Sequence, residues 1–318
     1  MSYISHFPAR VARLFLFAAL SLVSVAAQTP AKPAEPAKPV AKANAAGTIL
    51  VVRVTGEAYA TLPGDTLRMP LKKGSLVLVG QTIVTGKNAS VMLVLSNGAT
   101  VTVAGDSVMA VEEFTQRPFA EAFRVTRISS EPSNSTTRLN LVKGEIISDV
   151  KKLNKGAGSS FHIKTPVGVA GIRGTAFRLA FLETGRALAS FNLVMLEGEI
   201  EMRFPGNPDP VLVPQGKELK LDNISVDPAT GAARRPGRES TRLANASASA
   251  LASIAQTVQV MISSADSVSF PPSGDAPEAG AEGGGAAQGD AQGGPESQAP
   301  ASPGAQVTPP RLSPTDGE

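Results

Sequence analysis

The stretch "TPVGVAGIRGTAF", Thr165–Phe177, is small and apolar, is punctuated by glycine, and holds one arginine, Arg173. Its glycines, at 168, 171 and 174, remove side chains where a chain turns or where a neighbouring backbone approaches. The pattern is not the G-x-G-x-x-G of a nucleotide-binding loop, and no helical pattern follows it. The stretch therefore predicts closely packed β-structure and not a phosphate-binding loop.

Arg173 admits three interpretations. It is exposed to solvent, or it grips an anionic ligand, or it is a structural fork that bonds backbone carbonyls or a carboxylate across strands. We favour the structural fork, because the surrounding stretch is too apolar for a binding loop. The residues that we expect to determine the fold here, or to make a contact, are Thr165, Pro166, Gly171, Arg173, Gly174 and Thr175.

Short strands separated by glycine turns recur between residues 47 and 227. The clearest hairpin is "ASVMLVLSNGATVTVAG", in which two apolar runs flank Asn97-Gly98, a dipeptide typical of type I′ turns. Similar strand–glycine–strand units bend at Lys143-Gly144 and at Glu197-Gly198. No clear helical period appears before residue 238. This pattern predicts an all-β domain built as a sandwich, roll or small solenoid.

Residues 239–265 carry apolar side chains at helical spacing and almost no charge. The predicted stripe is Ala244, Ala248, Leu251, Ile254, Val258, Met261 and Ala265. It predicts one amphipathic helix. We favour a helix that packs on the β domain, and a helix that docks a partner or self-associates is the alternative.

The two ends have compositions unlike the centre. Residues 1–27 combine arginines, a short apolar run and a small-residue cleavage pattern, which predicts a secretory signal peptide; an uncleaved anchor is the alternative. Residues 28–46 are an Ala/Pro/Lys-rich linker, expected to be semi-rigid. Residues 271–318 are Gly/Ala/Pro-rich and acidic, and we expect a disordered tail. With no cysteine for a lipobox, we expect a periplasmic or secreted protein with no transmembrane segment after cleavage.

The residues that catalysis or metal binding would require are scarce. Without cysteine there are no disulfides, thiol nucleophiles or cysteine zinc ligands. His162 is the one histidine after the signal peptide, and we expect it to face solvent or lie on an edge strand. Of the acidic pairs, Glu112-Glu113 is expected just before a loop, and Glu199/Glu201 on the exposed face of a strand. We therefore expect no enzyme, no metal and no cofactor, and the net charge of +3 does not indicate nucleic-acid binding.

The opening stretch and two other blocks resemble the FecR-domain family of envelope proteins. Residues that carry the resemblance in the stretch are Phe161, Ile163, Thr165, Pro166, Gly168, Ala170, Ile172, Arg173, Gly174, Thr175 and Phe177, followed by Val194, Glu197, Gly198, Ile200 and Met202. Upstream, "VLVGQTIVTGKNASVMLVLSNG" from Val77 and "LVKGEI" from Leu141 are similar to earlier blocks. The resemblance covers roughly residues 50–220.

The resemblance implies an extracytoplasmic, roll- or solenoid-like β domain that acts by protein–protein contact. Familiar members are membrane-spanning regulators that pass a signal from an outer-membrane receptor to a cytoplasmic sigma factor. This sequence lacks the family's cytoplasmic segment, so we do not expect sigma-factor contact. The motif with Arg173 is then most simply a family fold determinant.

Three functions follow as hypotheses. The leading one is a non-enzymatic binding module, for signalling or scaffolding, that contacts another envelope protein or a glycan. The second is a structural envelope or matrix component that contacts anionic wall polymer, because residues 28–270 carry +7 while the tail carries −6. A glycan-active enzyme is the weakest.

Overall fold

The computed structural model describes residues 44–185, 187–227, 230–233 and 241–273. The predicted signal peptide, all but the end of the linker, and the acidic tail after residue 273 lie outside the described residues. The described part is an all-β domain with one α-helix near its C-terminal end, which confirms the predicted fold class. Within the described ranges, no helix has the length and apolar character needed to cross a membrane.

The described elements, in chain order, are β1 (Ala45–Ala46), β2 (Ile49–Thr55), β3 (Ala58–Thr61), β4 (Met69–Pro70), β5 (Leu76–Val77), β6 (Thr82–Thr85), β7 (Ser90–Leu95), β8 (Thr100–Val103), β9 (Val108–Gln116), β10 (Phe123–Arg124), β11 (Ser135–Val150), β12 (Ser160–Thr165), β13 (Gly168–Ile172), β14 (Thr175–Gly185), β15 (Leu188–Glu197), β16 (Glu199–Arg203), β17 (Val211–Pro214), β18 (Lys217–Ser225), β19 (Thr241–Asn245), α1 (Ala248–Ala265) and β20 (Ser269–Phe270). Short 3₁₀ turns cover Val125–Arg127 and Lys155–Ala157.

The strands form two stacked sheets. Sheet I has the order β4-β3-β6-β9-β11-β12-β13-β16-β17, with β1 beside the end of β9. Sheet II has the order β5-β2-β7-β8-β11-β14-β15-β18-β19. The β11–β12 pair is parallel, and the other pairs in these sheets are antiparallel. A separate two-stranded piece pairs β10 with β20.

Strand β11 belongs to both sheets. Its first part pairs with β9 and β12 in sheet I, and its second part pairs with β8 and β14 in sheet II. The strand changes sheet at Gly144, where a side chain would begin 2.1 Å from Oγ of Ser107. The predicted unit around Gly144 is therefore one long bent strand. The unit around Gly198 likewise passes from β15 in sheet II to β16 in sheet I.

The hairpin predicted at Asn97-Gly98 joins β7 to β8, but its turn is not type I′. Gly98 has a φ of 88° and Asn97 is absent from the positive-φ residues, whereas type I′ needs both. The buried Asn97 amide donates to the hydroxyls of Ser135 and Thr137, each at 3.2 Å. The role of Asn97 is therefore to hydrogen-bond buried hydroxyls of β11, and not to adopt the left-handed backbone conformation of a type I′ turn.

The main core lies between the inner faces of the two sheets. Inward residues alternate with outward ones along each strand, as the pleat requires. The largest fully buried side chains include Phe114 and Phe161 from sheet I and Phe177 and Phe191 from sheet II. These apolar layers hold the domain together without any disulfide.

Helix α1 packs on the outer face of sheet II. Its residues Ile254, Val258, Met261 and Ala265 are buried, and they form a second core with outward residues of that sheet. Ser247 caps the helix by accepting a hydrogen bond from the backbone N–H of Ala250 at 3.2 Å. The packing agrees with the favoured hypothesis for this segment.

The predicted boundaries need two corrections. The helix begins at Ala248 and not at residue 239, because residues 241–245 form β19 against β18. Ala244 fits a strand as readily as a helix, so the stripe was extended too far. The β domain also begins earlier than residue 47, because β1 lies within the predicted linker and pairs with β9.

Candidate functional site

A row of polar positions crosses the outer face of sheet I. The strand register aligns Glu113, Arg138, His162, Gly171 and Glu201 on neighbouring strands from β9 to β16. The inward neighbours on these strands supply the core, so alternation turns this row outward. The side chains of the row therefore stand side by side, with one missing at Gly171.

Gly171 forms the floor of a groove of about 300 Å³. The other two glycines of the stretch are sterically required. A side chain on Gly168 would begin 2.3 Å from the carbonyl oxygen of Arg203, and Gly174 has a φ of 97° with the Cα of Lys152 2.9 Å from its would-be Cβ. A Cβ on Gly171 would meet its nearest atom, the Glu201 carbonyl oxygen, at an ordinary 3.6 Å. The backbone there would accept a side chain.

Two arginines flank Glu201 at one edge of the groove. Nη2 of Arg173 donates to Oε2 of Glu201 at 2.5 Å, and Nη2 of Arg203 donates to the other oxygen, Oε1. The Glu201 side chain is 11% exposed, whereas those of Arg173 and Arg203 are 48% and 67% exposed. Burial alone would raise the pKa of Glu201, but the hydrogen bonds and charges of both arginines outweigh it and hold that pKa below its ordinary value.

Two further basic side chains line the groove. Burial first, and then the charge of Arg173, lower the pKa of Lys155, while Glu201 and Glu199 oppose the shift. Burial is also the main cause of the lowered pKa of His162, with additional repulsion from Arg138 and Arg203. The groove is therefore crowded with positive charge, which its acid, Glu201, only partly balances.

The remaining motif residues shape the backbone around the groove. Thr165 ends β12 and its Oγ1 donates to the carbonyl oxygen of Gly168 at 2.9 Å, across a turn that contains Pro166. Thr175 begins β14 and is buried, with its Cγ2 2.8 Å from where a side chain on Gly198 would begin. Its Oγ1 has no hydrogen-bond partner among the described residues. Of the six motif residues, Gly171 and Arg173 line the groove itself.

The sequence region that contains this site matches a family model. Residues 81–201 match the family described as FecR protein. The chain carries a FecR domain. The match includes Gly171, Arg173 and Glu201, and Arg203 follows two residues after its end. No curated protein matches the chain.

Solved structures similar to this FecR-domain chain include two crystal structures of one protein from Parabacteroides distasonis ATCC 8503, at 2.50 and 1.65 Å resolution. That protein is proposed to be an anti-sigma factor. Each match has 14% sequence identity and a TM-score of 0.37, and covers 55% of this chain and 64% of the other. The match thus spans less than two thirds of that protein's solved chain.

The positions of the acidic pairs and of the histidine in the FecR domain can be compared with those expected. Glu201 is buried in its ion pairs and does not lie on an exposed strand face. His162 lies on the outward, solvent side of β12, which is one of its two expected positions, and it is half-buried there. The other expected position is wrong, because β12 is flanked by β11 and β13 and is not an edge strand. Glu112-Glu113 lies near the end of β9, before the irregular segment that follows Gln116, as expected.

Sequence reasoning missed Lys155 and Arg203 as neighbours of Arg173. The signal for Arg203 was present, because Glu201 and Arg203 alternate on β16 and so share a face. Lys155 approaches from the turn before β12, and no periodicity predicts that approach. Within the described ranges, no group of three or more metal-ligating side chains is present.

Proposed function

We propose that this chain is a non-catalytic binding module that contacts its partner through the outer face of sheet I. The observation that carries the proposal is the difference between the two outer faces. Helix α1 covers apolar side chains on sheet II, whereas the outer face of sheet I carries charged side chains around an open groove. An accessible charged surface provides the electrostatic complementarity that gives protein recognition its specificity.

The contacts of the polar side chains support a non-catalytic role. A nucleophile, a base and an orienting acid need mutual hydrogen bonds, and among the described residues His162 has no such bond to a hydroxyl or a carboxylate. Glu201 is held ionised by Arg173 and Arg203, which is the wrong state for a general acid. Its alternating neighbour Glu199 is on the same strand, so no opposed carboxylate pair is formed from these two.

We further propose that the module works outside the cytoplasm, with another envelope protein or a glycan as its partner. The support is the signal-peptide pattern of residues 1–27, which lie outside the described residues. The partner classes follow from the accessible charged face. Contact with a sigma factor is not part of the proposal.

A structural role is the second candidate, in which the same face contacts an anionic wall polymer. The excess of Lys155, Arg173 and Arg203 over Glu201 in the groove favours it. Attraction between exposed charges is screened by salt, so polymer binding would disappear at high ionic strength. Capture of one protein that persists at high salt would favour the binding module.

Site-specific photo-crosslinking in intact cells tests the proposed surface. A photoreactive amino acid is placed at Leu212, which ends the cross-strand row on sheet I, or at Ile262 on α1. These side chains have similar exposure, 47% and 38%. We expect a discrete crosslinked product from Leu212 and none from Ile262.

A crosslink from Ile262 without one from Leu212 would overturn the proposal, because it would move the contact to the helix. A thermal melt of each purified variant is the control for folding. Neither position belongs to the main core, so both variants should melt like the unmodified chain.

A further inference from the structure

We propose that the groove floored by Gly171 binds one oxyanion group of the ligand, a carboxylate or a phosphate. This inference rests on the proposed function, because it gives the ligand chemistry for the same face of sheet I. It assigns Arg173 and Arg203 to ligand contact in addition to their shared bond with Glu201.

The groove is open because Gly171 has no side chain. Glycine within a strand weakens it, because it offers no side chain for cross-strand packing. At Gly168 and Gly174 the steric reason for glycine is clear, and at Gly171 it is missing. The space above Gly171 faces Cδ2 and Nε2 of His162, which lie 3.8 and 4.0 Å from where a side chain would begin. The missing side chain therefore keeps a space open between His162 and Glu201.

The two guanidinium groups at the groove have donors to spare. Each arginine uses one nitrogen, Nη2, to bind a separate oxygen of Glu201. Among the described residues, no other hydrogen-bond partner occupies either fork, although a guanidinium has five N–H donors. Glu201 therefore holds two cations in place and leaves donors for a second anion.

The local charge of the groove favours an anion. Lys155, Arg173 and Arg203 line the groove with Glu201 as its acid, and Glu199 lies near enough to Lys155 to affect its pKa. Holding like charges close together is unfavourable unless an opposite charge compensates them. Planar forked donors fit carboxylate and phosphate oxygens, and a bound oxyanion would relieve the repulsion.

His162 gives a direct spectroscopic test. The imidazole borders the groove, and the charged groups that act on it are Arg138, Arg203, Lys155 and Glu201. An anion bound beside it must raise its pKa. The full chain, with His6→Gln to remove the second histidine resonance, is titrated with inorganic phosphate or with glucuronate at constant ionic strength, while proton NMR follows the His162 ring.

Three variants make the test specific. Gly171→Val projects methyl groups into the groove from a Cβ that the backbone accepts, and β-branched residues suit strands. Arg203→Gln removes an exposed donor. Lys143→Gln is the matched control, since it also removes one exposed positive charge but lies at the bend of β11 and pairs with Glu183.

We expect phosphate, glucuronate or both to raise the pKa of His162 in the parent chain and in Lys143→Gln. The anion that acts identifies the ligand group as phosphate or carboxylate. Arg203→Gln should weaken binding roughly tenfold, as expected for one charge-assisted hydrogen bond, and Gly171→Val should abolish it.

The inference is overturned if neither anion moves the His162 resonance, or if all variants respond alike. A Gly171→Val chain that fails to fold would be replaced by Gly171→Ser, with the same expectation. If anions fail to bind while Leu212 still crosslinks to a partner, the oxyanion site is refuted but the proposed binding module is not. Loss of the Leu212 crosslink with anion binding intact would instead refute the proposed surface.

Discussion

The outer faces of the two sheets differ in what covers them. On sheet II the outward residues Met92, Val94 and Val194 are apolar, and they are buried in one cluster with residues of α1. On sheet I the outward row contains Arg138 and Glu201 among other polar residues, and water reaches it. The same strand alternation produced both faces, so the chemistry of the outward positions decided which face received a helix and which stayed available.

The covered face is not apolar throughout. Near the start of α1, Glu145, Arg178 and Asn192 line a separate cavity of about 380 Å³. Burial raises the pKa of Glu145, and the charge of Arg178 opposes that rise. Nη2 of Arg178 donates to Oδ1 of Asn192 at 3.0 Å. Helix α1 therefore covers the apolar part of sheet II, and it begins beside these polar side chains.

The largest expected effect tests whether the helix is part of the folded core. Met261→Ala removes a fully buried side chain and should lower the free energy of unfolding by about 3 kcal/mol. Denaturant unfolding measures the loss. Val260→Ala changes a 37% exposed position on the same helix, and it should lower the free energy of unfolding by much less than Met261→Ala does. Equal costs would mean that α1 does not pack on sheet II as described.

The next effect tests whether the open face of sheet I is nonetheless tightly built. Gly168→Ala places a Cβ against the Arg203 carbonyl oxygen, so the backbones of β13 and β16 must separate. It should lower the free energy of unfolding by about 2 kcal/mol. Thermal and denaturant unfolding report it. Gly171→Ala on the same strand should be neutral or slightly stabilising. A large loss at Gly171 would mean that this glycine is structural after all.

A smaller effect lies at Thr175, where the stretch enters sheet II. Its hydroxyl is buried without a partner in the described residues, so Thr175→Val should stabilise the fold by about 1 kcal/mol. Thr175→Ala should destabilise it, since the methyl that packs against Gly198 is lost. Denaturant midpoints compare the two. Destabilisation by valine would show that the hydroxyl has a partner in solution.

The smallest effect is the pH dependence of stability from the sheet I face, on the order of 1 kcal/mol or less. Both folded pKa values are lowered, so the unfolded chain takes up each proton first as the pH falls. Stability should decline below pH 6.5 through the folded pKa of His162, and again below 4.5 through that of Glu201. Denaturant unfolding across this range measures both steps.

His162→Gln should remove the first decline, and Glu201→Gln should remove the second. Glu145 on sheet II is the comparison, because its pKa is raised and its effect on stability has the opposite pH dependence. Its contribution to stability is present below pH 4.5 and is lost as the pH rises through the folded pKa of Glu145. A profile unchanged by either variant would contradict the electrostatics described for the groove.

Sequence patterns predicted the strands and the apolar helix stripe because both depend on local periodicity. The helix start was wrong because Ala244 is compatible with either period and β18 decided its conformation. Alternation placed His162 and Lys164 opposite Phe161, as observed. It could not show that Glu201 is buried, because that burial involves Arg173, which lies in the bend between β13 and β14. Nor could it separate Gly171 from the two sterically required glycines.

Strand β11 has a consequence for the order in which the chain folds. One edge of β11 pairs with β9 in sheet I and with β8 in sheet II, and its other edge pairs with β12 and β14. In both sheets β11 therefore separates the strands that come before it in the chain from those that come after it. Strand β10 is the exception, since it belongs to neither sheet. As the polypeptide emerges, the earlier strands leave two unpaired edges, and unpaired edges are templates for aggregation. One sixteen-residue segment then closes both at once.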